Sequence, residues 1–596
     1  MINNYTPNTM IRIYTCVLLM FISTHLFADS QKYNYAVVIS SSAYSEPGWR
    51  AVADSLVKKH AKKGTAKLFT WSSKVTDTKD ALSLFKPDYI GYIARPVTEC
   101  NSAFIVEISR MSRQLDADPY GDAVWGIITG YQASDALRAI SESLIVKMVL
   151  SASNNLSYEP PIQRFYNGIG MTCDSYTKTD YLFADKQGII YTENKRPENE
   201  QDRIKLVSKW LNSSSLNINV GGQGTISGPV DCIITGGHGN VNLWQCHYPE
   251  AGKEGFMQSS GGKLFGLPYS GGTIAINATT PKIYWCASNC LMGNPDKKDN
   301  IVYGAFGSGH AVQMFGFVNE ASSGDEFMAW GVFDRVTKCA GTYTLAQGFF
   351  LSNNNAKFEM LNPSGQMNTT LVGQFMDSTV FYGDPAADVK FYDVGESSKA
   401  CKSEITYSLN GSDKADFTFT FTMLAHDLEY GAGYCYQFRP ISLLPVRIDP
   451  KSVNVTVDQG IKAEFTDNLV IWDILSKNSK LAKGKSVKLQ WTAKITDNKT
   501  NIRFPENYKN KRILTAPSLR IKSVVSSQQI YADKVPSGFY TVTITDLQGS
   551  LYYSCDFHSS GQNNQTIRVN EQLPHGIYLI SLNGNNLTVQ KKVMVK

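Results

Sequence analysis

From Tyr33 onward, short apolar runs alternate with stretches of helical spacing. "YAVVIS" (35–40), "AKLFTW" (66–71), "DYIGYIA" (88–94) and "AVWGIITG" (123–130) read as buried strands. Between them, "GWRAVADSLVKKHAKK" (48–63) places Trp49, Val52 and Leu56 on one helical face, and "TKDALSLF" (78–85) has the same period. "DALRAISESLIVKMVLSA" (135–152) reads as a further helix. After residue 200 the alternation resumes. Helical "QDRIKLVSKWL" (201–211) precedes three strand-like runs, "PVDCIITGG" (229–237), "KIYWCAS" (282–288) and "HAVQMFGFV" (310–318). Two more helical segments follow, 325–339 and 344–354. Strands alternating with helices predict parallel βαβ units in a layered α/β sheet. The expected domain therefore spans 33–395, in halves of about 33–155 and 156–395.

Near residue 400 the period changes to two. Phe417, Phe419, Phe421 and Met423 alternate with polar residues, as do Val487, Leu489, Trp491 and Ala493. That predicts an antiparallel sandwich over 396–498, of the size of an immunoglobulin-like domain. A polar, basic linker (499–515) and a second small all-β unit (516–596) complete the chain. In the last unit Tyr540, Val542 and Ile544 alternate before a turn at 546–549, which predicts a hairpin.

A chain of 596 residues needs several cores, and its composition, 42% apolar and 18% charged, is that of a folded protein. A net charge of +6 with no basic run argues against a nucleic-acid surface. Residues 1–28 read as an export signal: Arg12, an apolar run from Val17 to Ile22, then Leu26-Phe27-Ala28 as a cleavage site. That run is too short to span a bilayer, and no later segment is long enough, so no transmembrane span is expected. Eleven cysteines are scattered without a CxxC pair, which argues against a zinc site. In an exported protein some are candidates for disulfides, and a thiol kept free needs a reason.

Two apolar runs end in reactive groups. "DCIITGGHGN" ends at His238 and "KIYWCASNC" at Cys290, 52 residues apart, ample for the crossover that parallel strands require. Parallel strands would deliver both to the carboxyl edge of the sheet, where α/β proteins bind ligands. An imidazole beside a thiol raises its reactivity. Gly236, Gly237 and Gly239 let the backbone approach a ligand. The amides of Gly239 and Cys290 are candidate oxyanion donors. Cysteine is also a common small core residue, and a histidine after a strand is often only a loop residue.

His-Gly after one strand and Cys after the next resemble the caspase–legumain–gingipain superfamily of cysteine peptidases. "NCLMG" resembles the gingipain nucleophile segment, with Cys286 four residues earlier. "GSGHAVQMFGFVNEAS" resembles the following strand, "FYGDPAADVKFYD" (381–393) the closing Gly-Asp-Pro segment, and "DADPYGDAVWGIITG" (116–130) an Asp-rich strand entry. The resemblance implies a caspase-like fold over 33–395, His238 as general base, Cys290 as nucleophile, and the amides of Gly239 and Cys290 as oxyanion donors. It implies protein or peptide substrates and no cofactor for the chemistry. Asn289 stands where most relatives carry Ala. No long prodomain fits between the leader and the α/β pattern. Both departures motivate the alternative of a catalytically inactive surface-binding protein.

Cys286 lies inside the strand pattern and is read as core. His247 and His310 are read as loop residues. Asp116, Asp118 and Asp122 offer oxygen ligands to a structural calcium, or cap a turn. Asp325 and Glu326 lie in a region suited to an acidic specificity pocket. The tail, with Gly576-Ile577-Tyr578-Leu579 and the terminal Lys592-Val593-Met594-Val595-Lys596, resembles the C-terminal sorting domain of the type IX secretion system of Bacteroidota. That resemblance implies passage by that machinery to the cell surface, the outer membrane or the medium.

Overall fold

The computed structural model describes residues 33–153, 167–172, 181–184, 190–193, 202–220, 224–247, 253–287, 289–321, 331–337, 339–340, 343–363, 368–396, 399–411, 413–425, 427–429, 439–473 and 480–497, and, nearer the C-terminus, 518–524, 527–533, 538–546, 550–560, 565–569, 574, 576–584 and 587–595. The expected leader, Asp325 and Glu326 lie outside these residues. The chain divides into two compact units, residues 1–506 and 507–596.

The first unit is built on one twelve-stranded sheet. In chain order its strands are β1 (Asn34–Ser40), β2 (Thr65–Trp71), β3 (Tyr89–Ile93), β4 (Val124–Ile128), β5 (Met148–Ser153), β6 (Asn167–Thr172), β7 (Tyr181–Ala184), β8 (Ile190–Glu193), β9 (Cys232–Thr235), β10 (Lys282–Cys286), β11 (Ala311–Phe317) and β12 (Thr379–Tyr382). Across the sheet they run β2-β1-β3-β4-β12-β11-β10-β9-β5-β6-β7-β8. The strands β1, β3, β4, β9, β10, β11 and β12 are buried almost throughout, because helices and loops cover both faces.

The sheet is continuous across both halves but not uniformly parallel. β1 to β4 run one way, and β12 runs parallel to β4. β12 is antiparallel to β11, so β11, β10, β9, β5 and β6 run the other way. β7 and β8 add antiparallel edges. The last strand in sequence thus stitches the two halves together in the middle of the sheet.

The expected helix over 135–152 is only half helix. It spans Ala133–Ser141, and the apolar remainder forms a short strand, Leu144–Val146, and then β5. A continuous apolar run has no period of its own, and here the vacancy beside β9 decides its state. The connection from β9 to β10 also differs from a helical crossover. It is a five-stranded antiparallel sheet running from Gly239–Asn240 to Ile274–Ile276.

Beyond residue 400 the period-two pattern forms sheets. Cys401–Leu409, Lys414–Met423 and Ser486–Asp497 pair antiparallel, and Ile441–Leu443, Leu469–Trp472 and Ala463–Phe465 form a second sheet. The alternating aromatics meet between the sheets: Phe419 lies 6.1 Å from Trp472 and Phe465 5.1 Å from Trp491, ring centre to ring centre. Two buried arginines fasten this region to the α/β part. Arg439 bonds Glu359 (2.7 Å) and Asp473 (3.0 Å). Arg447 bonds Asp467 (2.6 Å) and donates to the carbonyls of Pro87 (2.9 Å) and Asp122 (3.0 Å).

Among the described residues, the second unit has two sheets. Ser518–Val524, Ser527–Asp533 and Gln565–Val569 form one. Gly538–Asp546, Leu551–Ser559, Gly576–Gly584 and Leu587–Val595 form the other; the first two pair antiparallel, as the expected hairpin requires, and residues 547–549 of its turn lie outside the described residues. Tyr540, Val542 and Ile544 pack with Ile567, Val569, Tyr578, Ile580 and Leu582 into its core.

Candidate active site

β9 and β10 are neighbours, parallel and in register, with Thr235 opposite Cys286. Both therefore release the chain at the same edge of the sheet. His238 follows three residues after Thr235, and Cys290 four after Cys286.

The first loop is built from backbone hydrogen bonds. The Gly236 amide donates to the Ala152 carbonyl of β5 (3.0 Å), and the Trp244 indole N–H donates to the Gly236 carbonyl (2.9 Å). Gly237 sits at φ +92°, a conformation that favours glycine. The His238 carbonyl accepts the Gln245 amide (3.0 Å) and opens an antiparallel ladder with Leu243–His247. Pairs alternate along such a ladder, so Gly239, opposite Trp244, falls at a non-hydrogen-bonded position. Its N–H therefore turns away from that strand.

The second loop is anchored on both sides. The Ala287 amide donates to the Thr235 carbonyl (2.9 Å). Asn289 is fully buried; its Oδ1 accepts from the Thr235 hydroxyl (2.6 Å) and its Nδ2 donates to the Gly237 carbonyl (2.9 Å). Leu291 adopts φ +59°, a strained conformation for a side chain with a Cβ, costing about 1–3 kcal/mol. The turn is held by the Leu291 amide on the Asn319 carbonyl (3.0 Å) and the Gly293 amide on the Phe317 carbonyl (2.9 Å). Cys290 thus sits at a tight turn, half-buried, with Sγ 3.7 Å from the Ala321 carbonyl oxygen.

The two loops touch. A Cβ at Gly239 would stand 2.9 Å from the Cys290 carbonyl oxygen and 2.9 Å from the Asn289 Cβ. Real Cβ atoms do not approach that closely, so only glycine lets the backbone next to His238 lie against the backbone of Cys290. His238 is exposed at the rim. Cys286, Cys232 and Cys246 are buried, and burial pushes the Cys286 thiol up to about 12. Of the cysteines whose side chains are described, only Cys290 and Cys555 reach solvent appreciably.

The other singled-out residues lie elsewhere. His310 stands at the amino end of β11, at the opposite edge, with Nε2 2.9 Å from Glu142 and Nδ1 3.2 Å from the Ala278 carbonyl. The backbone of His247 lies in Leu243–His247; its side chain is outside the described residues. Of the three aspartates, Asp116 and Asp122 converge, and Asp467 joins them in place of Asp118, with ligand oxygens within 4.8 Å of one another. Asp467 comes from the sandwich, more than three hundred residues away, and no local motif marks it. The turn-capping alternative is also present: Asp116 Oδ1 accepts the Asp118 amide (2.9 Å) and Asp118 Oδ1 the Tyr120 amide (2.8 Å). Burial first, then the charges of Asp116 and Asp467, pushes the Asp122 carboxyl up to about 9.

No curated protein matches this chain. Among solved structures, it is similar to the Arg-specific cysteine proteinase gingipain R at 10% identity and a TM-score of 0.39, covering 96% of this chain and 99% of that one. A β-glucuronidase of Ruminococcus gnavus is similar over 30% of this chain and 35% of its own, at 14% identity and a TM-score of 0.10. Likenesses this faint carry no weight for the chemistry. Among the described residues, no helix is long and apolar enough to cross a membrane. Residues 524–596 match the family of the secretion system C-terminal sorting domain. The chain therefore ends in a sorting domain, which marks it for export.

Proposed function

We propose that this protein is a secreted or surface-bound cysteine endopeptidase of gingipain type, exported by type IX machinery through its sorting domain. The observation that carries the reading is the contact between the two loops: the backbone beside His238 lies against that of Cys290, at the shared carboxyl edge of adjacent parallel strands.

Cys290 Sγ attacks the peptide carbonyl carbon, and the C–N bond later breaks to leave a thioester. His238 takes the thiol proton and delivers it to the leaving amine. The amides of Gly239 and Cys290 hold the developing oxyanion, each contributing about 3 kcal/mol in the transition state. The orientation of the Gly239 N–H, away from its ladder partner, supports that role. Water, deprotonated by His238, then cleaves the thioester. The all-β region acts as a brace, a role supported by the buried Arg439 and Arg447 contacts.

A thiol-directed peptidyl chloromethyl ketone tests this reading. It should label Cys290 in the processed protein, and Cys290→Ala or His238→Ala should abolish the labelling. A processed protein that resists the probe would instead be an inactive peptidase-like binding protein. Sequencing the cleaved ends from a proteome digest would give the side-chain preference.

A further inference from the structure

A basic groove begins where the Cys290 loop is anchored. Two concavities, of about 580 and 550 Å³, share Val106, Arg110, Gln114 and Asn319 and so form one continuous groove. Asn319 ties it to the proposed site, since its carbonyl accepts the Leu291 amide (3.0 Å). Ala321, whose carbonyl lies 3.7 Å from the Cys290 sulfur, is two residues further on, about 7 Å of extended chain. The groove therefore begins within a few extended residues' length of the Cys290 sulfur.

The larger end of the groove carries unbalanced charge. Arg110, Arg113 and Lys357 line it, with Asp377 as the acid there. Asp377 is already engaged by two guanidiniums: Arg110 Nε lies 2.7 Å from Oδ2, and Arg113 bonds Oδ1. Glu107 lines the other end, where it accepts the Thr76 hydroxyl (3.1 Å). Lys357 is partly buried and makes no ion pair among the described residues. Its desolvation first, then the nearby Arg113 charge, disfavours its ammonium form, and the Asp377 charge offsets them only in part. A half-buried ammonium beside a guanidinium, with their shared acid already taken, is the electrostatic setting that an incoming anion relieves. Met360, Met376 and Pro119 add apolar walls suited to a peptide rather than a bare ion.

We propose that this groove is a subsite for acidic side chains of the bound polypeptide, with Lys357 and Arg110 supplying the charge. The proposal rests on the peptidase reading of Cys290 for its link to catalysis. It gives that reading a substrate class: chains with Asp or Glu a few residues from the bond that is cut.

The test uses full-length protein and two peptide sets differing only in Asp/Glu against Asn/Gln. Fluorescence anisotropy on the Cys290→Ala protein measures binding without turnover, and the wild type measures kcat/KM. Acidic peptides should bind about tenfold or more tightly than their amide counterparts, as expected for a charge-assisted contact. Lys357→Gln and Arg110→Gln should each erase most of that preference, and Lys357→Arg should keep it. Equal binding of the two sets overturns the proposal, as does a preference that survives both neutralising variants. Complete displacement of acidic peptide by an equal concentration of inorganic phosphate also overturns it, because the groove would then be a simple anion site. If binding behaves as expected but the wild type cleaves no peptide, the groove stands and the peptidase reading alone falls.

Discussion

The hydroxyl of Thr235, the last residue of β9, donates a 2.6 Å hydrogen bond to the Oδ1 of Asn289, the residue before Cys290. The same amide donates to the Gly237 carbonyl, next to His238. The residue that departs from the gingipain pattern is therefore a buried strut between the two loops. Asn289→Ala should leave the Thr235 hydroxyl and the Gly237 carbonyl without these partners, destabilising the protein by about 1–3 kcal/mol. Denaturant unfolding measures that loss. The rate of Cys290 alkylation by a peptidyl probe should fall with it, and an unchanged rate would deny Asn289 any part in setting the site.

Thiol reactivity should be sharply divided along the chain. Cys232, Cys246 and Cys286 are buried, and burial holds the Cys286 thiol near 12, so at pH 8 they should resist iodoacetamide in the native state. Cys290 and Cys555 should react. Mass mapping after brief alkylation checks this, and early modification of Cys286 would contradict the fold around β10.

The acidic cluster makes stability depend on pH in a stated direction. The Asp122 carboxyl is raised to about 9, above its unfolded value of about 3.9, so the folded state holds the extra proton between those values. Its contribution to stability is complete below about pH 4 and is lost as pH rises toward 9. Asp122→Asn retains an acceptor for the Leu115 amide, which now bonds Oδ2 at 3.0 Å. It should flatten the decline, and its advantage over the wild type should be larger at pH 8 than at pH 5 in parallel unfolding curves. A calcium-dependent rise in Tm at pH 8, abolished by Asp467→Asn, is the result the calcium expectation requires.

Asp384 behaves in the opposite sense. It is buried and desolvation opposes its charge, but His60 (2.9 Å) and Lys59 (2.7 Å) win and hold its carboxyl far below the usual range. Tyr35 adds a hydrogen bond to Oδ1 (3.0 Å) while stacking on His60 at 3.8 Å. Its contribution to stability is complete above about pH 4 and is lost progressively as pH falls below that value toward the depressed folded-state one. Asp384→Asn should cost about 3–5 kcal/mol at pH 7, because it removes the buried carboxylate that both Lys59 and His60 face, and much less at pH 2. Acid and neutral unfolding midpoints decide it; equal losses at both pH values would show that the charge is not what matters.

The alternation of apolar runs and helices was enough to read most of the central sheet, because a strand buried on both faces must be apolar along its length. His238 and Cys290 were legible for a related reason: each interrupts such a run at its end, where solvent begins. β5 was not legible, since "SLIVKMVLSA" continues a helical pattern without a break, and only the vacancy beside β9 makes it a strand. Asp467 was invisible beside Asp116 and Asp122, because nothing local says that a turn of the sandwich will land on the strand entry before β4.

The sequence by itself determined most of the elements, the candidate pair His238 and Cys290 and the sorting tail, all of which rest on local period and residue chemistry. Tertiary structure decided the rest. β12 reverses the direction of half the sheet, Asn289 bridges two loops, and Lys357 meets Arg113 and Asn319 in one groove. Each joins residues distant in the chain, and such pairings are fixed by which buried surfaces and hydrogen-bonding edges remain to be satisfied once the core has closed.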